Sequence, residues 1–213
     1  MLAQHGPFTR KQQLPIIDEL VMTVLSQHTS DLNTARAFRS LKQRFPNWGA
    51  VRDADPTEVA DAIRSGGLAD TKSVRIQRIL DEIEEREGRI DLDGLHELDD
   101  QSVERYLVSL PGVGPKTAAC VLLFSMGRAA FPVDTHVLRV AARLGLIPSK
   151  ATAEAADRLL LPGISPEIRY EFHMQFIRHG RQVCKAARPL CSDCVLFDLC
   201  ESGPDLLASG AAK

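Results

Sequence analysis

Hydrophobic residues recur every three or four positions along most of the chain, which is the spacing of one face of an α-helix. Near the N-terminus they fall at Ile17, Leu20, Val21, Val24 and Leu25. No segment sustains the alternation of polar and apolar residues that a strand between hairpin turns would show. The pattern therefore predicts an all-α fold of about ten short helices with short connections.

Capping residues and glycines mark the expected helix boundaries. Helix starts are predicted after Ser30, Asp55 and Asp134, and stops at Gly66, Gly67 and Gly145. In the helix after Ser30, the inward face is predicted to consist of Leu32, Ala35, Phe38 and Leu41. The C-terminal residues 202–213 are expected to be frayed.

Composition and charge narrow the class of protein. The 213 residues are 44% hydrophobic, which allows one large domain or two small ones. The formal net charge is −2, but residues 81–100 carry −8, so the remainder carries +6. A basic remainder is compatible with a polyanionic partner, and a solvated acidic helix end explains the same distribution. Neither a signal peptide nor a bilayer-spanning run is recognised, so a cytoplasmic protein is expected.

The segment SLPGVGPKTAACVLLFSMG, residues 109–127, combines a glycine turn with a lysine that opens an apolar run. Gly112 and Gly114 allow close backbone approach, and Pro115 favours the first position of a helix. Such a turn directs N–H groups outward at a helix N-terminus and forms a phosphate site. Since G-x-G alone is a weak signal, a plain turn between packed helices is the alternative.

Lys116 is an unusual residue for the first turn of a helix, where the dipole disfavours a positive charge. That field, together with partial burial among apolar neighbours, would favour the neutral amine. A neutral amine is the nucleophile that attacks an aldehyde to form a Schiff base. Asp134 is a second candidate, either as a simple N-cap or as a carboxylate directed into a cleft.

Four of the five cysteines lie near the C-terminus with the spacing C-x6-C-x2-C-x5-C, at Cys184, Cys191, Cys194 and Cys200. Clustered cysteines in a cytosolic chain indicate metal rather than disulfides. Four thiolates suit either zinc or a 4Fe-4S cluster, and their chemistry leaves both open. Lys185 and Arg188 lie between the first two cysteines, where they would contact a phosphate or compensate the charge of an anionic cluster.

Three motifs in order, LPGVGPKTA, VDTHVLRV and the cysteine spacing, closely resemble endonuclease III, a family of helix–hairpin–helix DNA glycosylases. The resemblance covers nearly the whole chain and implies two helical lobes with the active site in the cleft between them. Residues 17–128 would form a six-helix domain with the hairpin near 110–116. Residues 1–16 and 129–213 would form an iron–sulfur cluster domain.

The resemblance also implies a role for each candidate residue. Lys116 would attack C1′ of a damaged nucleoside, and Asp134 would assist the attack and base release. The four cysteines would hold a 4Fe-4S cluster, which favours iron over zinc. His28 or Gln27 would fill the gap left by a flipped nucleotide, and Leu68 would wedge into the duplex. The other expected DNA contacts are Lys72, Gly112, Gly114, Lys185 and Arg188.

The implied function is base excision repair of double-stranded DNA. Oxidised pyrimidines would be removed, and the abasic site cleaved by β-elimination through a lysine Schiff base. A cytoplasmic monomer is expected, with damaged duplex DNA as partner and no membrane. The chain departs from the common family pattern at His28, Ala69 and Pro115, where glutamine or asparagine, tyrosine and arginine, respectively, are frequent.

Three other interpretations stay open at this point. A monofunctional mismatch or damage glycosylase of the same fold would carry the same turn and cysteines, although adenine-mismatch relatives generally lack this lysine. A non-catalytic helix–hairpin–helix DNA-binding protein would need neither Lys116 nor Asp134. A zinc-stabilised binding protein would keep the cysteines and would lack the brown colour of an iron–sulfur protein.

Overall fold

The computed structural model describes residues 1–10 and 12–213, and these residues form helices and no strand. The α-helices are α1 (Leu2–His5), α2 (Ile16–Leu25), α3 (Asp31–Arg44), α4 (Trp48–Asp53), α5 (Pro56–Ile63), α6 (Ala69–Glu87), α7 (Asp100–Val108), α8 (Pro115–Cys120), α9 (Thr135–Arg143), α10 (Ala153–Leu160), α11 (Arg169–Gln182) and α12 (Gly203–Ala208). α8 continues directly into a π-helix at Val121–Ser125. The predicted all-α class is confirmed. None of the helices in these ranges has the length and apolar character needed to cross a membrane.

The chain folds into two compact units. The first, Gln13–Arg128, contains α2 to α8, and we call it the hairpin unit. The second joins Met1–Gln12 to Ala129–Lys213, contains α1 and α9 to α12, and is called the cysteine unit. The functions expected of the two predicted domains stay predictions.

In the hairpin unit, α6 packs against α5 and α4, while α2 packs against α3 and α8. Ser30 caps α3 as predicted, because its Oγ accepts a hydrogen bond from the Asn33 N–H at 3.3 Å. The predicted inward face of α3 is confirmed at Leu41, which is buried, and wrong at Leu32 and Ala35, which are exposed; Phe38 is half-buried. The buried residues are Thr34, Ala37 and Leu41. Thr34 can turn inward because its hydroxyl donates to the Ser30 carbonyl at 3.0 Å, so the polar group is satisfied.

In the cysteine unit, α9 packs against α11 around a core that includes Phe131, Val133, Val137, Val140 and Phe176. The expectation of a frayed C-terminus is wrong. Gly203–Ala208 forms α12. The backbone of Lys213 forms hydrogen bonds with residues on either side of Cys191. The Ser192 N–H donates to the Lys213 carbonyl at 3.0 Å, and the Lys213 N–H donates to the Pro189 carbonyl at 2.9 Å. These backbone hydrogen bonds order the C-terminal residues, which the small and polar side chains of this segment do not indicate.

Candidate active site and DNA interface

The glycine turn between α7 and α8 leaves three N–H groups unused. Gly112 has φ 71°, a left-handed conformation that glycine adopts without strain. The Val113 N–H donates to the Leu110 carbonyl at 3.1 Å and closes the turn. Within the described residues, the N–H groups of Gly112, Gly114 and Lys116 donate to no backbone carbonyl. The turn therefore offers donors to an anion at the start of α8.

Lys116 lies in the first turn of α8, directly after Pro115. The side chains of Thr117, Ala118 and Cys120 anchor α8 in the hairpin unit, whereas Lys116 is exposed. The partial burial expected for Lys116 from its apolar neighbours is therefore wrong. An exposed amine at this position can be reached by a substrate.

Asp134 is the N-cap of α9 in the cysteine unit. Its Oδ1 accepts hydrogen bonds from the His136 N–H at 2.9 Å and the Val137 N–H at 2.8 Å. The predicted cap is confirmed by these bonds, and the half-buried carboxylate is fixed in orientation by them. Both bonds use the same oxygen, so Oδ2 is engaged by neither of them.

Two exposed loops in the hairpin unit carry the residues expected to enter DNA. We call residues 25–31 the plug loop and residues 66–72 the wedge loop. His28 is exposed with φ 55°, and Leu68 is 58% exposed with φ 51°. Both are non-glycine residues in the left-handed region, a conformation that L-residues rarely adopt and that is often found at functional sites.

The structure distinguishes the two candidates for the plug. The Gln27 Oε1 accepts a hydrogen bond from Arg75 Nη1 at 2.8 Å, and Gln27 is half-buried. His28 is the exposed residue at the tip of the same loop. Of the two, His28 is therefore the side chain that is free to enter a duplex.

Lys72 does not lie where a DNA contact would need it. It is 2% exposed, and its Nζ donates to the Leu25 carbonyl at 2.7 Å and the Gly66 carbonyl at 2.8 Å. Burial lowers the pKa of the Lys72 amine, and the positive charge of Arg75 lowers it further. The predicted direct contact between Lys72 and DNA is corrected accordingly: the residue ties two loops together and is covered by them.

The four clustered cysteines line one cavity in the cysteine unit. Its atom-free volume, including the opening to solvent, is about 380 Å³. The lining also includes Arg143, His179 and several apolar side chains. All four cysteines are free thiols, and none forms a disulfide. Burial raises the pKa of the Cys191 thiol, and the neighbouring cysteines raise it further.

Two side chains bond to cysteine sulfurs at this cavity. Arg143 Nη1 lies 3.4 Å from Cys184 Sγ, and His179 Nε2 lies 3.5 Å from Cys194 Sγ. Burial lowers the pKa of His179 to about 4, and the positive charges of His5 and the N-terminus contribute. Among the described residues, no three His, Cys, Asp or Glu side chains converge on a position that would hold a single metal ion.

Lys185 and Arg188 are exposed on the loop between the first two cysteines, as a phosphate contact requires. Arg143 holds this loop by its backbone: its Nη1 donates to the Lys185 carbonyl at 2.7 Å and its Nη2 to the Ala186 carbonyl at 3.0 Å. Arg188 has φ 52°, so the loop carries a strained residue at its exposed side.

Sequence reasoning missed the residues that support these loops. Arg75 and Arg143 look like ordinary surface arginines on amphipathic helices, and His179 looks like a core histidine. A weak signal exists for Arg75, because it lies one helical turn after Lys72 and so shares its face. No signal marks Arg143, since its partners are backbone carbonyls, which the sequence does not specify.

Comparison with known proteins gives a consistent assignment. Residues 21–166 match the family described as HhH-GPD superfamily base excision DNA repair protein. The chain is 35% identical to Endonuclease III of Thermotoga maritima, over 85% of this chain and 81% of that protein. It is 38% identical to an Arabidopsis thaliana relative whose name describes a DNA glycosylase, over 84% of this chain. The match spans 58% of that relative's length.

Solved structures show the same architecture. A non-covalent Endonuclease III–DNA complex superposes with a TM-score of 0.82 at 27% identity, covering 95% of this chain and 90% of that chain. A thermostable thymine-DNA glycosylase superposes with a TM-score of 0.73 at 17% identity, covering 91% of this chain and 87% of that chain. At that identity the second match shows the fold alone.

Proposed function

The chain belongs to the HhH-GPD superfamily of base excision DNA repair proteins, and from that membership we propose that it removes oxidised pyrimidines from double-stranded DNA and then cleaves the abasic site. The family match and the endonuclease III relatives confirm the family predicted from the sequence, and with it a DNA glycosylase of base excision repair. The substrate class, the lyase step and the residue roles are the proposed part.

The observation that carries the proposal is the position of Lys116. It is an exposed amine in the first turn of α8, directly after a turn with unused N–H donors at Gly112 and Gly114. A DNA phosphate bound by those donors would bring the adjoining sugar close to the amine.

The proposed chemistry follows from an amine acting on a sugar carbon. Lys116 Nζ forms a bond to C1′ while the bond from C1′ to the base breaks, and the base leaves with the electron pair and takes up a proton. The amine loses its proton, and opening of the sugar ring leaves an imine between Nζ and C1′. Loss of a C2′ proton then breaks the bond from C3′ to its oxygen, and the 3′ phosphate departs.

Asp134 is proposed to support the first of these steps. Its Oδ1 is committed to the cap of α9, which fixes the carboxylate, while Oδ2 takes no part in those bonds. A fixed carboxylate stabilises positive charge that develops on the sugar, or accepts the proton that the amine loses. An N-cap role and a chemical role are therefore compatible in one side chain.

Base removal requires the target nucleotide to leave the stack, at a cost of a few kcal/mol that is smaller for a damaged base. His28 is proposed to fill the gap that the nucleotide leaves, and Leu68 to separate the neighbouring base pairs. Their exposure and their positions at the tips of the plug and wedge loops support these roles. The endonuclease III structure that superposes on this chain is a DNA complex, which supports duplex DNA as the partner.

The four cysteines are proposed to hold a 4Fe-4S cluster. Cys184, Cys191, Cys194 and Cys200 line one cavity, and four thiolates are the ligand set of a 4Fe-4S cluster. When bound, the cluster would supply a structural link that orders the loop carrying Lys185 and Arg188. Base release and elimination need no electron transfer.

Borohydride trapping tests the proposed lyase chemistry. Wild-type protein and Lys116→Ala are incubated with a duplex that contains one abasic site and then reduced. We expect a covalent protein–DNA band with wild type and none with Lys116→Ala, although both bind the duplex. Lys150→Ala, which removes another exposed lysine, is the matched control and should trap normally.

Two results would contradict the proposal. Equal trapping by Lys116→Ala would assign the imine to another amine. Release of an oxidised pyrimidine by wild type without any trapped band would make the protein a monofunctional glycosylase. We also propose a cytoplasmic monomer, which sedimentation and fractionation would test separately.

A further inference from the structure

One face of α6 connects the plug loop, the wedge loop and the glycine turn of the hairpin unit. Lys72 and Arg75 are one helical turn apart and therefore share this face. Lys72 contacts the plug and wedge loops, and Arg75 contacts the plug loop and the glycine turn. The plug loop and the glycine turn lie outside α6, whereas residues 69–72 of the wedge loop form the first turn of α6.

Lys72 is a buried ammonium with two backbone partners. Burying a charge is strongly unfavourable unless hydrogen bonds compensate, and a hydrophobic residue usually fills such a position with less cost. The bonds of Lys72 go to Leu25 at the start of the plug loop and to Gly66 at the start of the wedge loop. A single amine therefore fixes the first residue of each loop relative to the other.

Arg75 extends this connection to the glycine turn. Its Nη1 donates to the Gln27 Oε1 at 2.8 Å, which holds the residue next to the tip of the plug loop. A Cβ added to Gly112 would lie 2.8 Å from Arg75 Nε and 3.0 Å from its Cδ. The arginine side chain thus lies directly against the backbone of the turn, and Gly112 provides the space for it.

The backbone of the two tips explains why such ties are needed. His28 and Leu68 both have positive φ, which is unfavourable for L-residues and persists only when surrounding contacts impose it. His28 lies three residues after the tied carbonyl of Leu25, and Leu68 lies two residues after that of Gly66. Without the ties, each tip would relax toward conformations that direct its side chain elsewhere.

Resting on the function proposed above, we propose that Lys72 and Arg75 are positioning residues that hold the plug loop, the wedge loop and the glycine turn as one preformed surface for opening the duplex. Neither residue touches the reacting sugar. Their contribution is to remove an ordering step, so that His28 and Leu68 enter the stack already oriented. Their loss should slow duplex opening and leave the chemistry of Lys116 unchanged.

A comparison of a double-stranded and a single-stranded substrate distinguishes slower duplex opening from slower chemistry at Lys116. Single-turnover borohydride trapping is measured on a duplex with one abasic site and on the same oligonucleotide as a single strand. For Lys72→Met and Arg75→Ala we expect rates on the duplex about 10- to 100-fold lower than wild type, since small displacements have effects of that size. The single-strand rates should stay within about twofold of wild type.

Arg78→Ala is the matched control, because it removes a positive charge from the outward face of the same helix. It should change neither rate beyond its effect on DNA affinity. A 2-aminopurine opposite the abasic site provides a second measurement, because its fluorescence rises on unstacking. The rise should be slower with Lys72→Met and Arg75→Ala at saturating protein, and Arg75→Lys should recover part of it.

Equal losses on both substrates would overturn the proposal and place these residues in the chemistry. Unchanged duplex rates in both variants would also overturn it. If circular dichroism shows that Lys72→Met does not fold, Arg75→Ala and Gln27→Ala test the proposal instead, because each removes the hydrogen bond between Arg75 and Gln27. Wild-type protein that traps neither substrate would instead refute the proposed function, which is a different result from a loss confined to the variants.

Discussion

The plug and wedge loops and the loop between Cys184 and Cys191, here called the cysteine loop, are held in similar ways but have different surroundings. In the hairpin unit, Lys72 donates to the backbone carbonyls of the two loops. In the cysteine unit, Arg143 donates to the Lys185 and Ala186 carbonyls of the cysteine loop. Lys72 lies in a filled core, whereas Arg143 borders a cavity of about 380 Å³ lined by four thiols.

This difference indicates which loop is held by the protein alone and which would depend on the proposed cluster. The hydrogen bonds that Lys72 and Arg75 form in the hairpin unit go to groups of the chain itself. Burial raises the pKa of the Cys191 thiol and the neighbouring cysteines raise it further, so four thiolates would repel each other without iron to compensate. The stability of the cysteine unit should therefore depend on iron, whereas that of the hairpin unit should depend on substitutions of Lys72 and Arg75.

The largest expected effect is loss of the proposed cluster. Cys191→Ser, or removal of iron by oxidation and chelation, should lower the melting temperature by more than about 10 °C, because metal binding contributes directly to folding. Hydrogen exchange should accelerate in residues 184–200 and stay unchanged in the plug and wedge loops. Cys120→Ala, outside the cavity, should keep its iron. Unchanged exchange in the cysteine loop of iron-free protein would show that the loop needs no cofactor.

A smaller effect is expected from Lys72→Met. The change leaves the Leu25 and Gly66 carbonyls without their donor, and an unsatisfied buried polar group costs about 1–3 kcal/mol. We expect the free energy of unfolding to fall by about 2–4 kcal/mol in urea titrations. The iron content should not change. A loss of iron from this variant would mean that the two regions are not independent.

The hairpin unit should also respond to pH through Glu19, which is buried on α2. Burial raises the pKa of Glu19 from 4.5 to about 7, opposed by a hydrogen bond from Thr23. The folded state binds the proton of Glu19 more tightly than the unfolded state does, and this difference contributes to the free energy of unfolding. The contribution is fully present below pH 4.5 and is lost as pH rises through about 7. The change is about 3 kcal/mol. Glu19→Gln should flatten the profile in denaturation measured across this range, and an unchanged profile would assign it to another group.

Gly112→Ala examines the contact between the glycine turn and Arg75. The positive φ should cost about 1 kcal/mol, and the contact with Arg75 should add to it. In a double-mutant cycle of unfolding free energies, Arg75→Ala should remove the added part and leave the backbone strain. Strict additivity of the two changes would show that arginine and turn do not interact.

The smallest effect is expected in the cysteine loop, from Arg188→Ala. Removing one phosphate contact should reduce the slope of log K against log salt concentration by about 0.9 and change the melting temperature little. Arg188→Gly should give the same slope with slightly higher stability, because glycine adopts the positive φ without strain. Salt titrations with an undamaged duplex measure this, and an unchanged slope would remove Arg188 from the interface.

Features determined by neighbouring residues could be predicted from the sequence, and features determined by distant contacts could not. The caps at Ser30 and Asp134 depend on a few adjacent positions, and they are found where predicted. The burial of Lys72 depends on carbonyls from two other segments, and the order of the C-terminus depends on pairing with Ser192. The first turn of α3 differs from its predicted face because Thr34, whose hydroxyl is satisfied by the Ser30 carbonyl, takes an inward position.

Holding a loop by its carbonyls has a consequence for how this protein can diversify. A carbonyl is common to all residues, so Lys72 places no requirement on the side chains of the segments it ties. Substitution of His28 or Leu68 should therefore leave the scaffold intact. If these tips enter the duplex as proposed, single substitutions there would alter the range of lesions recognised without a new fold.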